Sequence, residues 1–195
     1  MNVNMASDND HFGMNCAGGG ATIHFSLQGK GGVGKSVMAS WLAQYFQSKD
    51  IPVICIDTDP VNATLSQFKD LHADHLNVLK AGTINEKQFD ALVERGRRVF
   101  IHLVVTGGQA MADTLAGFKQ VAETAPANSI IVWLNEYFGE VERYGKRFED
   151  LQVAQQFASR LAGAVRIRER NRHTFGDDVK MMLERSLILP EVLPC

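Results

Sequence analysis

Eight residues set the tightest limit on how this chain can fold. Gly29-Lys30-Gly31-Gly32-Val33-Gly34-Lys35-Ser36 fits the spacing G-x-x-x-x-G-K-[ST] in full. That spacing works only with a strand before it and a helix after it. Both patterns are there. Ala21 to Leu27 reads as a strand, and Val37, Met38, Trp41, Leu42, Tyr45 and Phe46 recur at helical spacing between about Lys35 and Ser48. Glycines let successive backbone N–H groups curl around phosphate oxygens. The helix N-terminus adds a partial positive charge at the same point. In such a loop Lys35 reaches the β- and γ-phosphates, and the Ser36 hydroxyl is a Mg²⁺ ligand. A chance glycine-rich turn is the competing reading, and it leaves the two flanking elements unexplained.

Beyond the loop, strand-like and helix-like patterns alternate, which predicts an α/β layered fold. Pro52 opens a second strand, Val53 to Asp57, apolar on both faces as a central parallel strand should be. Asn85 followed by Gln88 resembles a helix start, with Gly96 as its stop. A third strand spans Val99 to Val105, and Thr106-Gly107-Gly108 turns it into a helix carrying Met111, Leu115, Phe118 and Val121. Ser129 to Leu134 forms a fourth strand ending at Asn135. A polar loop, Glu136 to Lys146, precedes a helix from about Phe148 to Leu161. Val165 to Ile167 reads as a short fifth strand, and Asp177 to Leu187 as a closing helix. The expectation is one three-layer α/β/α P-loop domain over residues 21–195 with a mostly parallel sheet. Met1 to Gly20 reads as a flexible leader.

Composition excludes little but agrees. The chain is 45% hydrophobic and 22% charged, with a net charge of −2 that advertises no nucleic-acid partner for the molecule as a whole. No apolar run is long enough to span a bilayer. Cys16, Cys55 and Cys195 fit no zinc spacing, and Cys55 reads as a packed strand residue. His24, His72, His75 and His102 read as lone histidines without ligand spacing. A reduced, cytoplasmic setting is expected.

Lys30-Gly31-Gly32-Val33-Gly34-Lys35-Ser36, with its second lysine, resembles the deviant phosphate loop of the ParA/MinD-like ATPases. The resemblance continues through Ile56-Asp57-Thr58-Asp59-Pro60-Val61-Asn62-Ala63-Thr64. It implies an ATP-dependent homodimer with slow hydrolysis. In it Lys30 crosses the dimer interface to the partner's nucleotide, a cation placed on charge developing in phosphoryl transfer. Asp59 orients the attacking water, and Asp57 sits near the Mg²⁺ shell. On the residues alone, both aspartates could instead cap a turn before Pro60. Asn135 matches the asparagine that reads the adenine edge, and Arg168 stands where the family often flanks the base with a proline. Gly29 to Val37 would surround the phosphates. The runs Ile23 to Thr64, Val104 to Ala110, Val132 to Gly139 and Asn171 to Gly176 resemble the TraL-type members encoded in plasmid conjugal-transfer regions. A conjugation or partition protein is the partner this implies.

Two departures stand out. Val37 replaces the threonine that usually follows the loop Ser/Thr. Between Leu92 and Val99 the family has a further strand, ending in Asp and followed by a second switch that senses the γ-phosphate; here Glu94-Arg95-Gly96-Arg97-Arg98 runs straight into Val99. Loss of that stretch removes a strand beside the loop strand and puts hydrolysis in question. The alternative function is therefore a nucleotide-binding adaptor without ATPase activity, and a small phosphotransferase is a third reading that Lys30 opposes. Arg160, Arg166, Arg168, Arg170, Arg172 and His173 form a basic stretch that could touch DNA phosphates non-specifically, or serve as a solvated face. Val179, Met182, Leu183 and Leu187 make an apolar stripe better suited to packing on the sheet than to a membrane surface.

Overall fold

A computed structural model describes residues 21–27, 31–57, 64–75, 79–80, 83–84, 96–137, 139–168 and 175–187 of the chain. Met1 to Gly20, Gly29, Lys30, Asp59 and the Asn85–Gln88 helix start lie outside the described residues.

Parallel pairing of apolar runs makes the frame. Strand β1 (Ala21–Ser26) leads through the glycine loop into helix α1 (Lys35–Gln47). Two short strands follow, β2 (Ile56–Asp57) and β3 (Asp74–His75), then β4 (Leu79–Lys80) and β5 (Thr83–Ile84). The long β6 (Gly96–Thr106) feeds helix α2 (Met111–Thr124) and strand β7 (Ile130–Asn135). A hairpin, β8 (Glu142–Arg143) and β9 (Lys146–Arg147), precedes the short helix α3 (Gln152–Gln156). Strand β10 (Leu161–Ile167) and helix α4 (Asp177–Ser186) complete the series. Among the described residues the main sheet has the order β1-β6-β7-β10, and all three of its pairings are parallel.

Alternation along β6 sends successive side chains to opposite faces. Phe100 and Val104 join Met38, Trp41, Phe46, Val179 and Leu183 on one side. Leu103 and Val105 join Leu115, Phe118, Phe148 and Ala154 on the other. The sheet is thus covered on both faces, α1 and α4 on one and α2 on the other: the three-layer α/β/α arrangement expected for a P-loop domain. All six residues of β7 are buried, as a central parallel strand requires. The stripe on α4 packs inward, with Val179 and Leu183 fully buried. No helix among the described residues is long and apolar enough to cross a membrane.

Three local expectations need correction. The second strand is not central: only Ile56–Asp57 is regular, and it pairs with β3 apart from the main sheet. Cys55 is buried while Ile54 is 45% exposed, the pattern of a strand covered on one face. The Phe148–Leu161 helix is broken into α3 and flanking 3₁₀ turns, because Leu161 to Gly163 are drawn into pairing with β7. The Glu136–Lys146 loop contains a hairpin turn, with Tyr144 and Gly145 both at positive φ.

Candidate functional site

The three strands β1, β6 and β7 run parallel, so their carboxyl ends share one edge, where ligands of open α/β sheets bind. The glycine loop leaves β1 at that edge. Gly32 (φ 73°) and Gly34 (φ 101°) occupy the left-handed region that side chains disfavour, and this is how the loop folds back into α1. At Gly34 space adds a second reason: a Cβ would stand 3.1 Å from the Asn135 amide nitrogen. Gly31 and Gly32 are exposed with open space around them, while Val33 turns into the core. Helix α1 begins with no side-chain cap and no acidic residue in its first turn. The partial positive charge of its N-terminus therefore meets no acidic side chain from its own first turn. The loop residues present fit a nucleotide's phosphates on this geometry, and Ser36 in the first turn of α1 supplies a hydroxyl suited to Mg²⁺.

Asp57 ends β2, buried, and its Oδ2 accepts from the Leu65 N–H (2.9 Å) and the Ser66 N–H (3.2 Å). That carboxylate caps the 3₁₀ turn Leu65–Gln67. Asn135 ends β7 with 7% exposure. Its Nδ2 donates to the Val33 carbonyl (2.9 Å), and its Oδ1 accepts from the Tyr137 N–H (3.1 Å). The Asn135 carbonyl in turn accepts from Thr106 Oγ1 and the Gly107 N–H, each at 3.2 Å. Gly34, Lys35, Ser36 and Val37 are half-buried at the start of α1. The structure thus brings the loop and Asn135 into contact, and Asp57 ends a strand of a separate pair.

One strand further on, Glu136 follows β7 and Arg168 follows β10. Both line a cleft of about 410 Å³ together with Arg147 and Arg166. Arg166 is held on two sides, Nη1 against Glu136 and Nη2 against Glu149 (2.7 Å). It is therefore committed to a half-buried ion-pair cluster rather than to a basic surface. Arg170, Arg172 and His173 of the basic stretch lie outside the described residues.

Sequence reasoning missed this cluster, because Glu136, Glu149 and Arg166 meet only through the β7–β10 pairing. It also missed that His24 and His102 are not lone. The Trp133 indole N–H donates to His102 Nδ1 (2.9 Å), which leaves the His102 proton on Nε2, facing His24 Nδ1 at 2.9 Å. Burial lowers the His24 pKa to about 4, and burial with the nearby His24 holds that of His102 well below the usual value. The pair meets only through the pairing of β1 with β6, which sets His24 and His102 on adjacent strands 78 residues apart in sequence.

Residues 25–194 match the family described as CobQ/CobB/MinD/ParA nucleotide binding domain. Two proteins of Escherichia coli, each called Protein TraL, are 37% identical over 210 residues, covering 89% of this chain and 87% of the relative. No solved structure matches the chain. The aligned span of 210 residues exceeds what this chain contributes, since 89% of 195 residues is about 174. Roughly 36 aligned positions of the relatives, the difference between these two figures, therefore have no counterpart here.

Proposed function

Because the chain belongs to the CobQ/CobB/MinD/ParA nucleotide-binding family, we propose that it is an ATP-binding switch that dimerises with Mg-ATP and hydrolyses it slowly. The service proposed is plasmid conjugal transfer or maintenance, in the cytoplasm, with a conjugation or partition protein as partner. One observation carries the reading: a glycine loop with left-handed turns at Gly32 and Gly34 opens directly into the uncapped start of α1. A loop so shaped aims backbone donors at an anion.

In this reading the amides from Gly29 to Val37 cradle the phosphates, and the Lys35 ammonium neutralises their charge. Ser36 holds Mg²⁺, with Asp57 near its outer shell. The metal supplies charge neutralisation on the β- and γ-phosphates. Lys30 acts across the dimer, Asp59 holds the attacking water, and Arg168 flanks the base from the cleft. Val37 contributes its N–H but no hydroxyl. Non-specific DNA contact through the remaining basic residues is part of the same proposal.

The positions missing relative to the two relatives favour a second reading, a nucleotide-binding adaptor that does not hydrolyse ATP. Sedimentation with Mg-ATP and with Mg-ADP, alongside phosphate release, separates the two. The switch gives an ATP-dependent dimer that Lys30→Ala abolishes, with slow turnover. The adaptor gives no turnover. A monomer under every condition would refute the switch.

A further inference from the structure

We propose that Asn135 is a positioning residue that shapes the phosphate loop; this rests on the nucleotide-binding reading above. Both ends of its carboxamide are engaged with backbone, Nδ2 with the Val33 carbonyl and Oδ1 with the Tyr137 N–H. At 7% exposure it has little surface left for a ligand. The bond to Val33 has a specific consequence. In a trans peptide the C=O and the following N–H point in opposite directions. Holding the Val33 carbonyl towards β7 therefore turns the Gly34 N–H away from β7. That N–H stands at the N-cap of α1, where the loop must present its donors.

The neighbourhood is built around this contact. Gly34 has φ 101°, and a Cβ there would press on the same amide nitrogen at 3.1 Å. The Asn135 carbonyl takes Thr106 Oγ1 and the Gly107 N–H, so one residue ties the glycine loop to the carboxyl ends of β6 and β7. An asparagine suits the task because it offers a donor and an acceptor on one short, rigid group. Asp at this position keeps the acceptor for Tyr137 and loses the donor for Val33.

Base reading and loop positioning separate in a titration that includes a ligand with no base. The parent, Asn135→Ala and Asn135→Asp are titrated with Mg-ATP, Mg-GTP and inorganic tripolyphosphate, and melting temperatures are recorded. Positioning predicts that both variants bind ATP and tripolyphosphate about tenfold more weakly, by the same factor, with the ATP:GTP ratio unchanged. Tenfold is about 1.4 kcal/mol, the size of one hydrogen bond in this setting. Amide exchange at Gly34 and Lys35 should also quicken in both variants without any ligand. Loss confined to ATP, with a collapsed ATP:GTP ratio, would make Asn135 a base reader and overturn the proposal. Unchanged affinities and exchange with a lower melting temperature would make it merely structural. Failure of the parent to bind ATP would refute the underlying reading instead, and would be seen before any variant is compared.

Discussion

Gly107→Ala destabilises the protein by about 3 kcal/mol, the upper end of what an overpacked interior costs. The backbone at Gly107 is extended and tolerates any residue (φ −70°, ψ 178°), so conformational strain is not the reason. Space is. An added Cβ would meet the Gly139 carbonyl oxygen at 2.0 Å, its carbon at 2.6 Å and the Glu140 oxygen at 2.7 Å. All three are backbone atoms of one segment and cannot swing aside as a side chain tip would. Retreat of Gly107 would stretch its bond to the Asn135 carbonyl, so the strand ends around the candidate site would move with it. Gly145→Ala is the matched control: φ is +73° there but nothing lies within 4 Å, so only the left-handed backbone costs, about 1 kcal/mol. Urea denaturation of both variants checks the pair. Equal losses would contradict the packing account.

Mild acid should cost nearly as much. In the fold His24 and His102 are both held neutral, their pKa values depressed by burial. Above pH 6.5 neither folded nor unfolded chain protonates them, and the fold carries no penalty. As pH falls below 6.5 the unfolded chain takes up protons that the folded one refuses, so stability drops. For His24 the loss accumulates until its folded pKa of about 4 is reached. At pH 5 it amounts to about 2 kcal/mol relative to pH 8, at 1.36 kcal/mol per unit. His102 adds loss in the same direction, since protonating its Nδ1 would also break the bond from Trp133. Denaturant unfolding at pH 8, 6 and 5 reads the slope, and His24→Phe, which keeps the ring contacts with Phe46 and Phe100, should make it shallower. A flat profile over that range would show that the buried pair does not titrate against the unfolded chain.

What could be read from residues follows from what is local. The glycine loop, α1 and the two strands β6 and β7 announce themselves because spacing, periodicity and continuous apolar runs are properties of neighbours in sequence. The bounds of β10 were not legible, since Leu161-Ala162-Gly163-Ala164 has small, weakly patterned side chains. Only pairing with Ile130 to Val132 makes it a strand. Val53 to Asp57 misled for the reverse reason: it looks like a central strand, but how many faces are covered depends on which strands lie beside it. At the candidate site the donors and glycines were visible. The clamp from Asn135 to Val33 was not, because its partners are 102 residues apart. The Arg166 cluster and the His24–His102–Trp133 chain were hidden for the same reason.

The central claim is that the loop from Gly29 to Ser36 binds a nucleotide's phosphates. Calorimetric titration of the parent protein and Lys35→Ala with Mg-ATP tests it most directly. Lys35 carries the one side-chain charge at the end of the loop, and a hydrogen-bonded charge of this kind is worth about 3 kcal/mol, roughly a hundredfold in affinity. Saturable binding by the parent and a loss of about that size in the variant are expected. No binding by the parent, or equal binding by both, would contradict it.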